Sequence, residues 1–222
     1  MSAPQTKVCP LCGDQGPAPF HEDRQRPYMR CVSCRLVFVP SNYWLDATAE
    51  KAVYDLHRND PEDAGYRRFL SRLSSPLVEK LPRCQQGLDF GCGPGPALAR
   101  LLEAHGHEVA LFDPYYANDR ALLERRYGFI TATEVVEHLR SPGAVFRRLF
   151  GMLQPGGWLG IMTKLVIDRD SFASEAFARW HYIRDPTHIC FYSLDTFEYL
   201  ARRFSAAVEF IGQDVTLLQK RP

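Results

Sequence analysis

From Gln86 onward, short apolar runs alternate with segments whose apolar residues recur every three or four positions. "GLDF" and "VALFD" read as strands, the second apolar on both faces as a strand inside a parallel sheet is. Between them a helix runs through Leu98, Leu101 and Leu102 and stops at Gly106. "GFITATE" predicts another strand. "SPGAVFRRLFGML" predicts a helix with Ser141 as cap, Pro142 in its first turn and Val145, Phe146, Leu149, Phe150 and Leu153 on one side. "QPGGWLGIMT" is a turn and then a strand. After an irregular aromatic stretch, "SLDTFEYLARRF" is a helix capped by Ser193, and "AAVEFIG" with "DVTLLQK" makes a closing hairpin-like pair. Such alternation predicts an α/β domain with a doubly wound, mostly parallel sheet and a closing antiparallel strand, binding ligands outside the carboxyl ends of its strands.

The chain before Gln86 is organised differently. "CPLCG" brings Cys9 and Cys12, and "CVSC" brings Cys31 and Cys34, with eighteen residues between the pairs. Each C-x-x-C puts two thiolates on one knuckle, and two knuckles complete a tetrahedron around zinc. With four cysteine ligands no coordination position stays open, so this zinc is structural. In the connecting region "DAGYRRFLSRL" has an apolar helical face, and Ser75-Pro76 reads as the cap and first turn of a second short helix. These helices pack on the next domain and could close over a ligand. The expected organisation is a zinc-ribbon-like module over residues 1–42, a helical linker or lid over 43–82 and a ligand-binding domain over 83–222.

Composition narrows the function classes. The 222 residues carry a formal net charge of +1, which gives no field for nucleic acid or an anionic membrane. No apolar run is long enough to span a bilayer, and "MSAPQTKVCP" lacks the apolar core of a signal peptide. The expected address is the cytoplasm, where seven cysteines stay reduced. Cys84, Cys92 and Cys190 are expected to be buried thiols.

In "LDFGCGPGP" an acidic residue precedes closely spaced glycines. A dinucleotide would bring its pyrophosphate to this helix N-terminus, where the Asp89 carboxylate would oppose it. S-Adenosylmethionine has no phosphate. It offers a sulfonium and an α-ammonium that Asp89 attracts, while Gly91, Gly93 and Gly95 let the backbone lie against its amino-acid portion. Asp113 ends the second strand, where an acidic residue receives ribose hydroxyls.

At this point the sequence resembles a class I S-adenosylmethionine-dependent methyltransferase. "LDFGCGPG", "VALFD", "FITATEVVEHL" and "LQPGGWLGIMT" match four successive family blocks in order, over roughly residues 84 to 220. The resemblance implies a Rossmann-like sheet beside the small N-terminal zinc ribbon. It also implies cofactor contacts from Asp89, Gly91, Cys92, Gly93, Gly95, Asp113, Pro114 and Glu134, with Glu134 beside the methionine end. One departure stands out: only about fourteen residues separate Asp113 from the next strand, where the family fits a helix and a further strand. The adenine contact then falls to Tyr115, Tyr116 or Asn118, or is made differently, and the sheet edge can lose a strand.

Methyl transfer is an in-line displacement from sulfonium, needing a base only when the acceptor loses a proton during attack. "EVVEHL" offers Glu134, Glu137 and His138. "WHYIRDPTHICFY" offers His181, Asp185, His188 and Tyr192, with His188, His138 and Tyr192 the candidate catalytic residues. A Cys190–His188 nucleophile pair requires an extended segment. The expected acceptor is a small molecule or sugar derivative. An RNA acceptor is the alternative, read by Arg24, Arg26, Arg30 and Arg35 with Phe20, Tyr28 and Phe38. A zinc-bearing interaction module on a non-catalytic methyltransferase fold is a further one. An oxidoreductase is disfavoured by Asp89.

Overall fold

The structure is a computed structural model describing residues 8–56, 59–166 and 173–222. Most of the N-terminal stretch read above for a leader lies outside the described residues. The two cysteine knuckles flank strands β1 (Ala18–Glu22) and β2 (Pro27–Arg30), and β3 (Val37–Phe38) follows the second knuckle. Helix α1 (Ala47–Tyr54) starts at Asp46, whose carboxylate accepts from the amides of Thr48 and Ala49.

Helix α2 (Ala64–Lys80) corrects the expectation of two short helices. It is continuous, capped by Asp63, with Pro76 inside it. Proline removes one donor from the ladder, yet Leu70, Leu73 and Leu77 are buried on one face, which keeps the helix against the sheet across that point.

The ligand-binding domain then builds its layers: β4 (Gln86–Phe90), α3 (Ala97–Glu103), β5 (Glu108–Phe112), β6 (Tyr127–Thr133), α4 (Pro142–Met152), β7 (Leu153–Met162) and α5 (Ala173–Ala178). It continues with β8 (Cys190–Phe191), α6 (Leu194–Arg203), β9 (Ala206–Ile211) and β10 (Val215–Lys220). The main sheet has the order β5-β4-β6-β7-β10-β9. Strands β5, β4, β6 and β7 are parallel, and β10 runs antiparallel to both β7 and β9. Strand β5 forms the edge: the segment after it holds a turn and a 3₁₀ helix at Arg120–Glu124, with no further strand beyond β5 among the described residues. Helix α6 has the expected Ser193 cap, made reciprocal by Thr196. Helix α4 begins at Pro142, but Ser141 makes no side-chain cap bond. Instead the Gly143 amide donates to the Pro10 carbonyl of the first knuckle at 3.2 Å.

The second sheet ties the two ends of the chain together. Its order is β1-β2-β3-β8, so its fourth strand comes from the ligand-binding domain. Val37 pairs with Phe191 and Phe38 with Cys190. One continuous core includes Cys9, Leu11, Leu36 and Phe38 from the cysteine region and Val136, Phe146, Ile161 and Tyr192 from the main domain. Arg26 reinforces this junction. It is 5% exposed, and its guanidinium donates to the backbone oxygens of Ile183, Asp185 and Pro186 at 2.9–3.0 Å. Tyr28 and Phe38 are also buried, and Arg30 lies over the Phe20 ring. Arg26, Tyr28 and Phe38, expected on an RNA-reading surface, are therefore internal. No helix among the described residues is long and apolar enough to cross a membrane.

Candidate active site

A cavity of about 780 Å³ lies at the carboxyl ends of β4, β5 and β6. The glycine loop forms one wall. The amides of Gly91 and Cys92 both donate to the Phe112 carbonyl, at 2.7 and 3.3 Å, which turns the chain back over β5. Gly91 has φ +78°, and a Cβ there would lie 2.4 Å from Val135 Cγ2. At Gly95 a Cβ would stand 1.9 Å from the Asn59 carbonyl oxygen, so the linker can cross the loop only over a glycine. Cys92 is a buried neutral thiol, its pKa pushed up to about 12 by burial. Cys84, expected to be buried, is exposed just before β4.

Asp89 sits at the floor, 4% exposed, and accepts from the Thr131 hydroxyl at 2.8 Å. Burial pushes its carboxyl up to about 6, and the Asp113 charge adds to that. A carboxylate held this way is stabilised by an arriving cation. Asp113 accepts from the amides of Gly93 at 3.1 Å, Tyr115 at 2.8 Å and Tyr116 at 3.1 Å. The same side chain thus closes the glycine loop and lines the cavity. Pro114, Tyr115 and Tyr116 line it as well, whereas Asn118 does not.

The opposite wall comes from "EVVEHL". Glu134 has φ +51°, and its amide donates to the Met162 carbonyl at 2.8 Å. Burial, with the neighbouring Glu137 charge, raises its carboxyl to about 8. His138 Nδ1 lies 3.1 Å from the Thr187 carbonyl and His188 Nδ1 2.8 Å from the Tyr182 carbonyl. The two imidazole centroids are 4.8 Å apart. Burial, and then His138, lower His188 to about 4, so its ring is neutral near pH 7.

Tyr192 does not join them. It is fully buried beneath the loop with its hydroxyl donating to the Val136 carbonyl at 3.0 Å, and it supports the loop from behind. His181 is exposed, 2.7 Å from the Lys164 ammonium, away from the cavity. The thiol of Cys190 is buried and donates to the Leu139 carbonyl at 3.3 Å, so it is not paired with His188 as a nucleophile.

Glu50 and Tyr54 of α1 were not anticipated from sequence; they line the cavity together with Tyr66 of α2, in the segment expected to close over a ligand. Helix α1 spans both rims: Glu50 pairs with Arg140 at 2.8 Å, and Asp55 accepts from the Tyr116 hydroxyl at 2.7 Å. Tyr54 stacks edge-on against His138, with centroids 5.3 Å apart. The Asp46 cap just before "ATAEKAVY" is the local signal that could have revealed this helix.

A family model described as a methyltransferase domain matches residues 57–209. The chain belongs to the methyltransferase-domain family. It is thereby an S-adenosylmethionine-dependent methyltransferase, and the glycine loop, Asp89 and Asp113 line its cavity. No curated protein sequence matches the chain. The fold is shared with an O-methyltransferase family protein of Burkholderia thailandensis (19% identity, TM-score 0.51). That match covers 82% of this chain but 62% of the other. It is also shared with the same organism's 1,6-didemethyltoxoflavin-N1-methyltransferase, solved with 1,6-didemethyltoxoflavin and S-adenosylhomocysteine. Identity there is 17% and the TM-score 0.53, over 92% of this chain and 99% of that one.

The cysteine cluster is separate from this methyltransferase site. The sulfurs of Cys9 and Cys34 are 3.5 Å apart, those of Cys12 and Cys31 3.4 Å, and all four lie within 4.8 Å of one another. Sulfurs at these distances are not disulfide-bonded. Tetrahedral zinc–thiolate bonds of about 2.3 Å place sulfurs about 3.8 Å apart, so the four residues fit a zinc ion.

Proposed function

We propose that the protein transfers the methyl group of S-adenosylmethionine to a small-molecule acceptor held between α1 and the His138–His188 pair. The observation that carries this reading is the cavity's construction. Its volume of about 780 Å³ lies in the range of small-molecule sites, and Glu50 and Tyr54 of α1 line it together with His138 and His188. The toxoflavin methyltransferase, solved with both 1,6-didemethyltoxoflavin and S-adenosylhomocysteine bound, supports a small-molecule acceptor.

In this reading Gly91, Gly93 and Gly95 hold the amino-acid portion of the donor, Asp89 attracts its cationic end, and Asp113 with Pro114 takes the ribose. Tyr115 or Tyr116 flanks the adenine, replacing the family's missing strand. Glu134 faces the methionine end. His138 and His188 orient the acceptor nucleophile for in-line attack. The nucleophile's lone pair would form the new bond to the methyl carbon, sulfur would keep the pair of the broken carbon–sulfur bond, and a proton lost by the acceptor would pass to solvent. Zinc held by Cys9, Cys12, Cys31 and Cys34 in a reducing compartment fixes the knuckles on which β3 and β8 meet, and supplies no chemistry to the cavity.

Incubation with methyl-labelled S-adenosylmethionine and fractionated cell extract tests the acceptor class. Label is expected in the low-mass fraction. Label confined to RNA or protein would overturn the small-molecule assignment.

A further inference from the structure

Orienting an acceptor leaves Glu137 without a role. This residue lies in the single 3₁₀ turn Val136–His138 and is fully buried. One of its carboxylate oxygens accepts from the Tyr182 hydroxyl, and the other has no hydrogen-bond partner among the described residues. A buried carboxylate oxygen without a donor is costly to keep, and the Tyr182 hydroxyl also lies 3.5 Å from Glu134 Oε2, adding a second acid to the same space.

The Glu137 carboxylate has neighbours of a particular kind. One ligand atom each from Glu137, His138 and His188 lies within 4.8 Å of the other two. Both imidazoles point Nδ1 at a backbone carbonyl, His138 at Thr187 and His188 at Tyr182. A ring nitrogen facing a carbonyl carries the proton, so each ring keeps the lone pair on Nε2. Carbonyls that fix the tautomer in this way are the outer shell that metal-ligating histidines use. Two imidazoles and one carboxylate form a donor set for a first-row transition metal rather than for calcium or magnesium.

We propose that Glu137, His138 and His188 form a divalent transition-metal site at the acceptor end of the cavity. His138 and His188 line that cavity and Glu137 is fully buried, so an ion held by all three would stand at the cavity wall. Asp185, whose Oδ2 is 3.8 Å from His188 Nε2, flanks the same opening. The site itself rests on these side chains alone. Its use, to hold and polarise an acceptor oxygen or nitrogen, rests on the function proposed above.

The test is calorimetric and spectroscopic titration with Co²⁺ of full-length protein already carrying zinc in its cysteine cluster. One Co²⁺ per chain is expected, without sulfur-to-cobalt charge-transfer absorption. Glu137→Gln and His188→Gln should each weaken it at least about tenfold, with S-adenosylhomocysteine affinity changed less than about twofold as the measure of an intact fold. Absence of Co²⁺ binding, thiolate-type absorption only, or binding unaltered in both variants would overturn the site. Co²⁺ bound as expected in a protein that ignores S-adenosylhomocysteine would overturn the donor assignment and leave the metal site standing.

Discussion

The Arg26 guanidinium donates to the backbone oxygen of Asp185 at 2.9 Å, joining the cysteine region to the loop that presents His188. The same guanidinium reaches the carbonyls of Ile183 and Pro186, so three acceptors in that loop are held by one buried cation. Asp23 and Tyr28 organise it from below: Arg26 Nε donates to the Tyr28 oxygen at 3.0 Å, and the Tyr28 hydroxyl donates to Asp23 at 2.8 Å. The cysteine module is thus tied to the loop that carries His188 to the cavity.

Replacing Arg26 by Ala removes three hydrogen bonds to partly buried carbonyls, of which Ile183 alone keeps the Tyr28 hydroxyl at 3.4 Å, and is expected to cost about 2–4 kcal/mol of stability. Arg26→Lys retains charge but not the fork, and should fall between the two. Denaturant unfolding gives the stability. Donor binding, on the far side of the cavity, should change much less than acceptor KM.

Stripping zinc should act through the same junction. With the knuckles released, β3 loses its anchor and β8 its partner. Chelation is expected to remove one zinc per chain, to lower Tm and to reduce turnover more than it reduces S-adenosylhomocysteine affinity. Metal analysis with paired calorimetry checks this. A chelated protein of unchanged Tm would contradict it.

Asp89 makes donor binding depend on pH. Its folded carboxyl titrates at about 6, above the ordinary carboxylate value, because burial disfavours the charged form. The sign follows from that direction. Between about pH 4 and 6 the folded apoprotein keeps a proton that the unfolded chain releases, so this group's contribution to stability is present below that window and declines as pH rises through it. A cationic ligand requires the ionised form. S-Adenosylmethionine affinity should therefore rise with pH up to about 6 and then level, weakening about tenfold per unit below. In Asp89→Asn this dependence should flatten, as calorimetry at several pH values would reveal.

Asp113→Asn probes the other acid. The amide can still accept from some of the three backbone amides that close the glycine loop, but offers a ribose hydroxyl a weaker partner. Affinity for S-adenosylhomocysteine is expected to fall about tenfold, equivalent to about 1.4 kcal/mol. Asp113→Ala would also release the Gly93 amide and should cost more.

Local chemistry explains what could be read from the chain alone. The glycine loop, Asp89, Asp113 and the paired cysteines announce themselves because ligand and metal chemistry demand those residue types at short spacing. Helix α6 was legible from Ser193 and its apolar period. The β3–β8 pairing and the Arg26 clamp were not, since each joins segments about 150 residues apart and leaves no periodic trace in either. Tyr192 misled for the same reason: its polar tip suggested a site, but a carbonyl of the loop above satisfies it. Pro76 read as a helix start because its local preference is real, and burial of Leu73 and Leu77 overrides it.

The most direct measurement is a crystal structure with S-adenosylhomocysteine. The central claim expects the amino-acid end along Gly91–Gly95 near Asp89, ribose hydroxyls on Asp113, and sulfur opening toward His138 and His188. A vacant glycine loop, or sulfur turned away from the two histidines, would contradict it.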